Sequence, residues 1–564
     1  MPITQKLKTI IETALGNLGI SGVNFTLEHP TDLSHGDFAC NVAMVAAKQV
    51  GKNPKVLAEE IVTELNKQTS SEIESIEIAG PGFINFKLTP KFFEQEISGI
   101  VSGAENFGKI NVHQGQKILV EHSSPNLFKP FHVGHMMNNA IGESLTRLMK
   151  FSGADVRTMS FPSDISLGIA KAIFVILKKS PDGHLYNPSI QVLGDAYVEG
   201  TKRYEEDESI HARVKEIADN LYAQKDSPEW RAFNVCKNFN IEYFEQVVAR
   251  LGSIFDSYVY ESEAGEVGKK IVLENTPSVF TESEGAIVYI PDESKKHINT
   301  SVFINSQGNP TYEAKDVGLL AIKFDREHPD LSLFVTDHQQ ISHFDAVLDA
   351  AEKINHDWSE KSVHIPHGRM SFKGQKMSSR LGGVPLATEI LETILEEVRA
   401  RSTDRNIDAE TMDAIAVGAV KFAILRAKPG QNINFDPETS LSFEGDSGPY
   451  LQYTHARIMS LLEKGAELGI SPSYTSSEEI SDLERMVYRL PGIVENVIAE
   501  YAPQYVVTYL LQVAQAFNSY YGSNKIIDLE NREISAHRLA IAQAVAVVLK
   551  NGLWLLGIKA PDRM

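Results

Sequence analysis

The sequence has 564 residues, too many for one hydrophobic core, so two to four domains are expected. Hydrophobic content of 42% beside 23% charged residues is ordinary for a globular chain in water, and no apolar run reads as long enough to cross a bilayer. A net charge of -20 argues against unselective nucleic-acid binding, yet from Pro449 onward 10 Lys and Arg stand against 12 Asp and Glu, so the last fifth is close to neutral and leaves room for a local basic surface.

In chain order, Leu7, Ile10, Ile11, Ala14, Leu15 and Leu18 recur at helical spacing with Thr9 and Glu12 between them. That pattern predicts an amphipathic helix and not a signal peptide. The two cysteines, Cys40 and Cys236, lie far apart and outside any CxxC, which excludes a disulfide framework and a cysteine-ligated zinc site. A reducing cytoplasm is the expected home. A second helix is predicted over residues 40–66, broken at Gly51 and Pro54. Residues 76–78 and 83–88 read as strand, turn and strand around Gly80-Pro81-Gly82. A helix over 90–102 and a polar stretch to Gln116 read as a linker. Within it, Gly103 to Lys109 has P-loop spacing, but Ile110 stands where a magnesium-binding hydroxyl belongs and no strand precedes it, so it is set aside.

The pattern then changes. Residues 117–120 predict a short strand, followed by a polar loop and a helix from Val133 with Ile141, Leu145 and Leu148 on one face. A strand over 155–161 and a helix over 165–178 follow. This alternation signals a parallel, doubly wound α/β sheet of Rossmann type. Residues 180–300 are more polar and read as an insertion. The sheet resumes at 331–336, with a helix over 342–354 and a strand at 363–365. From about 410 to the end the period is helical, and the run from Leu539 to Leu556 suits a helix inside a bundle.

Two motifs carry chemistry. The first is Pro125-Asn126-Leu127-Phe128-Lys129-Pro130-Phe131-His132-Val133-Gly134-His135, between a predicted strand and a predicted helix. Free backbone N–H groups and the positive helix end would favour a phosphate there. Gly134 lets a nucleotide approach the backbone, and His132 and His135 share one face of the first turn, where imidazoles can donate to charge developing on an attacked phosphate. Alone, the pair could equally be a loop histidine and a helix-start histidine. The second motif is Gly374-Gln375-Lys376-Met377-Ser378-Ser379-Arg380, whose Lys376 and Arg380 could clamp a triphosphate. Alone it reads more readily as a solvated basic turn.

Together, HxGH in a nucleotide fold and KMSSR some 240 residues later resemble the signature pair of class I aminoacyl-tRNA synthetases. Glu121-His122-Ser123-Ser124 leading into the first motif, and Met370-Ser371-Phe372-Lys373 leading into the second, resemble the arginyl type. His35-Gly36-Asp37-Phe38-Ala39 and Ala79-Gly80-Pro81-Gly82-Phe83 resemble that family's N-terminal tRNA-contacting domain. Gly448-Pro449-Tyr450-Leu451-Gln452-Tyr453 and the last nine residues resemble its helical DALR-type anticodon-binding domain.

The resemblance implies an N-terminal α+β domain over 1–105, a Rossmann catalytic domain over 106–400 with the insertion at about 180–300, and an all-α domain over 401–564. It implies ATP-dependent activation of arginine and transfer to tRNA(Arg), with Mg2+ accompanying ATP, no zinc, no membrane, and a monomeric state. It also implies that tRNA must be bound before arginine is activated. His132, His135 and Lys376 would be catalytic. Lys129, His132, Gly134, His135, Lys376, Met377, Ser378, Ser379 and Arg380 would hold ATP. A planar guanidinium asks for carboxylates and an aromatic face. By the resemblance Tyr312, Asp316 and Glu121 supply them, while Ser123, Asn126, His135 and Gln340 complete the arginine site. The sequence departs from the family at residues 162–168, which replace its usual Gly-Asp-Trp-Gly and where Asp164 could keep one role. It departs again at Ser379, in place of a second lysine, and at His122, where Tyr or Phe is usual. The rival readings are another class I synthetase or related nucleotidyl transferase, and a non-catalytic tRNA-binding paralogue; retention of both histidines and Lys376 speaks against the paralogue.

Overall fold

The computed structural model describes residues 3–30, 32–68, 70–185, 187–373, 385–402, 407–475 and 479–564. They form two compact units. The first comprises Met1–Phe107, Ile458–Leu490 and Val513–Val548. Its sheet has the order β1-β2-β4-β3, all antiparallel, with β1 Leu27–Glu28, β2 Phe38–Cys40, β3 Ile73–Ala79 and β4 Phe83–Leu88. The helix Ile3–Asn17 buries Leu7, Ile11, Ala14 and Leu15, the stripe expected of it. The helix predicted from Cys40 instead begins at Val42, because Cys40 closes β2 against Ile84. It is split as expected. Gly51 takes a left-handed φ of 67° as the C-cap of Val42–Val50, and Asn53 caps Pro54–Leu65 with Pro54 in its first turn.

The His35–Gly36–Asp37 motif acts here as a staple. Gly36 has φ +94°, and a Cβ there would stand 2.7 Å from the Phe86 carbonyl. The wholly buried Asp37 accepts from the Leu88 N–H at 2.7 Å and pairs with Arg485. Removing that carboxylate strands a mostly buried guanidinium. Asp37→Ala should therefore cost about 3–5 kcal/mol of this unit's stability. A denaturant unfolding curve measures this, and an unmoved midpoint would remove the staple from the account.

The second unit comprises Gly108–Arg457, Pro491–Gln512 and Leu549–Met564. Its main sheet has five parallel strands in the order β12-β11-β5-β6-β7. These are β5 Lys117–Glu121, β6 Asp155–Ser160, β7 Ser257–Tyr258, β11 Leu331–Asp337 and β12 Ser362–His367. Between β7 and β11 lies a small antiparallel sheet of β8 Thr281–Ser283, β9 Ala286–Tyr289 and β10 Ser301–Ile304. The chain runs outward from β5 through β6 to β7, then returns to β11 on the other side of β5. The switch point of the sheet thus lies between β5 and β11, where such folds open a crevice at the carboxyl ends of the strands. The stretch expected as an insertion is not uniform. The helices Ile190–Glu206, His211–Tyr222 and Pro228–Arg250 pack a core of Leu193, Val214, Ile217, Leu221 and Phe233 onto the helix Leu167–Lys179, but β7 then joins the main sheet.

The helix Val133–Phe151, opened by the first motif, is fixed along its length. Ser144 donates to the Leu555 carbonyl at 2.9 Å, and Arg147, paired with Glu143 at 2.6 Å, donates to the Trp554 carbonyl at 2.9 Å. The fully buried Lys421 donates to the Gly557 carbonyl at 3.0 Å; burial lowers it to about 7, partly offset by the Glu143 charge. Gly142 admits the His122 ring, whose Cγ would lie 2.2 Å from any Cβ placed there. Contrary to expectation, among the described residues one helix, Arg532–Leu555, is long and apolar enough to cross a membrane by length and composition; 72% of that window is buried inside the protein, as in a core helix.

Candidate active site

A cavity of about 540 Å³ opens at the carboxyl ends of β5, β6, β11 and β12. Glu121 closes β5 there, Phe161 and Ser163 follow β6, and Asp337 and His367 end β11 and β12. The first motif enters from one side with Asn126, His132, Gly134 and His135.

The two imidazoles build their own helix start. His132 is the N-cap residue, and its Nδ1 accepts the Gly134 N–H at 3.1 Å. The His132 N–H donates to His135 Nδ1 at 3.3 Å, and the rings stack with centroids 3.8 Å apart. The Val133 N–H donates to the Pro385 carbonyl at 3.0 Å. The amides of residues 132–134, expected to be free for a phosphate, are therefore occupied. What the motif offers a ligand instead are ring edges. Burial, with the charge on Lys129, holds both histidines below the usual range and hence neutral; His135 is pushed furthest, with its histidine neighbours adding to burial. With Nδ1 accepting, the remaining proton sits on Nε2, so each ring presents one N–H donor.

The helix Tyr312–Arg326 lines the opposite side with Tyr312, 68% exposed at its first turn, and Asp316 one turn on. Gln340, just before the helix Ile341–Ile354, lines it too. Glu121 lines the cavity but is already partnered: its carboxylate pairs with Lys323, a lysine only 2% exposed on the same helix as Asp316. Asp316 is partnered as well, by His343. Glu261, buried at the cavity wall, pairs with Lys315. Lys323, His343 and Glu261 were not signalled by sequence pattern; the only hint was a lysine at the apolar spacing of a buried helix.

Two expected site residues lie off the cavity. Ser123, in a left-handed conformation at φ 56°, turns its hydroxyl to His122 Nδ1 at 2.9 Å and donates its N–H to Asn138 Oδ1 at 2.6 Å; the neighbouring Ser124 lines the cavity in its place. Lys129 stands over the Tyr197 ring at 4.7 Å. Lys376, Met377, Ser378, Ser379 and Arg380 lie outside the described residues. The chain that follows returns to the first motif, where the Ala387 N–H donates to the Phe131 carbonyl at 2.9 Å.

The departing segment 162–168 has a structural account. Ser163 exchanges backbone hydrogen bonds with Pro125 and Leu127, so it zips the motif loop to the end of β6. Asp164, buried, accepts from the Ser262 N–H at 3.0 Å and pairs with Lys237 at 2.9 Å, which holds the start of the helix Glu261–Glu274.

Against this geometry, the family described as tRNA synthetases class I (R), catalytic domain, matches residues 96–436. The chain belongs to the class I (R) tRNA synthetases. Residues 5–88 of this synthetase match the arginyl tRNA synthetase N terminal domain, and 451–564 match the DALR anticodon binding domain. It is 29% identical to an arginine--tRNA ligase of Clostridium perfringens over 100% of this chain and 99% of that one, and 28% identical to one of Borreliella burgdorferi over 99% and 98%. Its fold is that of the arginyl-tRNA synthetases of Thermus thermophilus (TM-score 0.81, 24% identity, 99% of this chain and 100% of that one) and Plasmodium falciparum (TM-score 0.82, 22% identity, 100% and 99%).

The side of the synthetase's cavity that carries Asp316 depends on one close packing. Gly318 and Gly268 face each other's helices, and a Cβ on Gly318 would lie 1.9 Å from the Ala264 carbonyl. Backbone atoms cannot yield as a side-chain tip would. Gly318→Ala should destabilise the protein by about 1–3 kcal/mol through overpacking. A lowered urea midpoint is the expected result, and an unchanged one would mean the two helices have slack.

Proposed function

We propose that this synthetase activates L-arginine with ATP and transfers it to tRNA(Arg). The observation that carries the proposal is the meeting, in one cavity, of His132 and His135 with Tyr312 and Asp316. In the first step a carboxylate oxygen of arginine attacks the α-phosphorus of ATP. The bond to the β-phosphate oxygen breaks, leaving arginyl-adenylate and pyrophosphate. His132 and His135 donate to the oxygens on which charge accumulates, and Lys376 with its neighbours Met377, Ser378, Ser379 and Arg380 is assigned the triphosphate. Mg2+ arrives with ATP as part of the substrate. In the second step a hydroxyl of the terminal tRNA adenosine attacks the activated carbonyl and AMP leaves. No side chain acts as nucleophile, and positioning carries much of the rate. Asp316 and the Tyr312 ring receive the guanidinium, with Asn126 and Gln340 at the α-amino and carboxylate end. The regions matching the N-terminal and DALR families are assigned to tRNA contact. The setting proposed is a monomer in the cytoplasm.

Aminoacylation of total tRNA with each amino acid in turn tests the assignment; charging with an amino acid other than arginine would overturn it. Asp316→Ala leaves the guanidinium without its counter-charge, so the KM for arginine should rise about 100-fold or more, the scale of a broken buried ion pair. Unchanged arginine affinity would sink that role. His132→Ala should slow adenylate formation about 100- to 1,000-fold while arginine binding changes little. Pyrophosphate exchange in the presence of tRNA separates the two, and an effect on arginine affinity alone would count against the histidine's role.

A further inference from the structure

The carboxylate assigned to the guanidinium already holds a cation of the protein's own. His343, on the helix Ile341–Ile354, places Nε2 2.5 Å from Asp316 Oδ2 and Nδ1 3.5 Å from Glu313 Oε1. The Nε2 edge donates to Asp316, and the Nδ1 edge faces Glu313 at ion-pair range. Two carboxylates thus flank the ring and favour the imidazolium. The side chain is 19% exposed and lines the same cavity as Asp316, Tyr312 and Gln340. Burial opposes its charge, but Asp316 and Glu313 outweigh burial and hold it at about 9. The other titratable group facing it is His364 of β12, bonded to the Thr336 hydroxyl at 2.7 Å; burial first, and then the His343 charge, lowers it to about 4. Phe344 covers the remaining side edge-on, with ring centroids 4.9 Å apart.

We propose that His343 is the resident cation of the arginine site, and that a guanidinium binding at Asp316 expels the imidazolium proton to solvent. The inference rests on the arginine assignment and adds a specificity residue to it. Two cations cannot share one largely buried carboxylate without strong repulsion. Of the two, only the imidazolium can shed its charge, because a guanidinium stays protonated throughout the working range. Uncharged His343 still offers one N–H to Asp316, so the carboxylate keeps its orientation while its charge is released to the ligand. In the empty site Asp316 is thereby kept paired, and a ligand too weakly basic or too short to displace the proton gains nothing from it.

The sign follows from linkage. His343 is charged at neutral pH in the free enzyme and loses that charge as pH approaches 9. Arginine affinity should therefore rise with pH across this window. Calorimetric titration of arginine into the full-length protein, in buffers of different ionisation heat, counts the protons released. Wild type should release a large fraction of one proton per arginine near neutral pH, with a Kd that tightens on the order of tenfold between about pH 7 and about pH 8.5. His343→Gln keeps an N–H donor and cannot titrate. It should release none and show a Kd flat relative to wild type, the substrate's own α-amino titration cancelling in the comparison. Equal proton release by both proteins would overturn the proposal. Should the variant not fold, wild type alone decides: zero release near neutral pH overturns it. No arginine binding by wild type in any buffer, with or without tRNA, would overturn the substrate assignment itself, whatever His343 does.

Discussion

Burying carboxylates at the carboxyl edge of a parallel sheet is the constraint around which this site is built. A lone buried carboxylate is too costly to remain charged, so each one needs a cation within the same walls. The helix Tyr312–Arg326 meets most of that need. It carries Lys323 to Glu121 and Lys315 to Glu261, and it presents Asp316 and Glu313 to His343. One helix therefore supplies two cations and two anions to the ion pairs at the cavity wall. Its position is set by the glycine contact at Gly268 and Gly318, where no side chain separates the two helices. Packing at that point fixes where charge can lie several residues away.

The same logic governs the nucleotide side. The start of the helix Val133–Phe151 would ordinarily leave amides for a ligand. Here His132, His135 and the Pro385 carbonyl occupy those of residues 132–134. Capping costs the motif its backbone donors and gives it two neutral rings in fixed tautomers. The fixing depends on packing far from the rings. Gly142 seats against His122, and Ser144 and Arg147 reach the Leu555 and Trp554 carbonyls. The helix is thus held at its first turn and along its second half, which leaves the imidazoles little freedom to tilt.

What the sequence disclosed is what local order controls. Alternation and period located β5, β6, β11 and β12 within a residue or two, and with them the sheet edge at which Glu121 and Asp337 stand. Tyr312 and Asp316, which the family resemblance singled out, are four positions apart on one helix and both line the cavity. What stayed hidden is what distant residues decide. Glu121 and Lys323 are 202 positions apart, and nothing local in either names the other. Ser123 and Ser124 are chemically alike, and only the left-handed turn at Ser123, which gives its hydroxyl to His122, determines which faces the cavity. The free-amide expectation failed for a related reason: a histidine is seldom read as an N-cap, and spacing alone does not reveal that its Nδ1 has turned back onto the backbone.

Charge matching around Asp316 bears on why a guanidinium suits this cavity. Glu121, Glu261, Asp316 and Glu313 face Lys323, Lys315 and His343, four carboxylates against three cations among these partners. The cluster is one positive charge short. A monocation can take the place of the labile one without adding to the deficit, whereas an anion deepens it. Shape then separates the monocations. Lysine's ammonium is a strongly hydrated point charge that loses most on entering a half-buried site, while a guanidinium is planar, weakly hydrated, and can lie along the Tyr312 ring as it meets Asp316. As His343 loses its proton on binding, a permanent cation replaces a labile one, and the guanidinium's pull on Asp316 and Glu313 is no longer shared. Selectivity then comes from an internal cation that yields to a permanent one, and the carboxylate that recognises the substrate need never stand uncompensated.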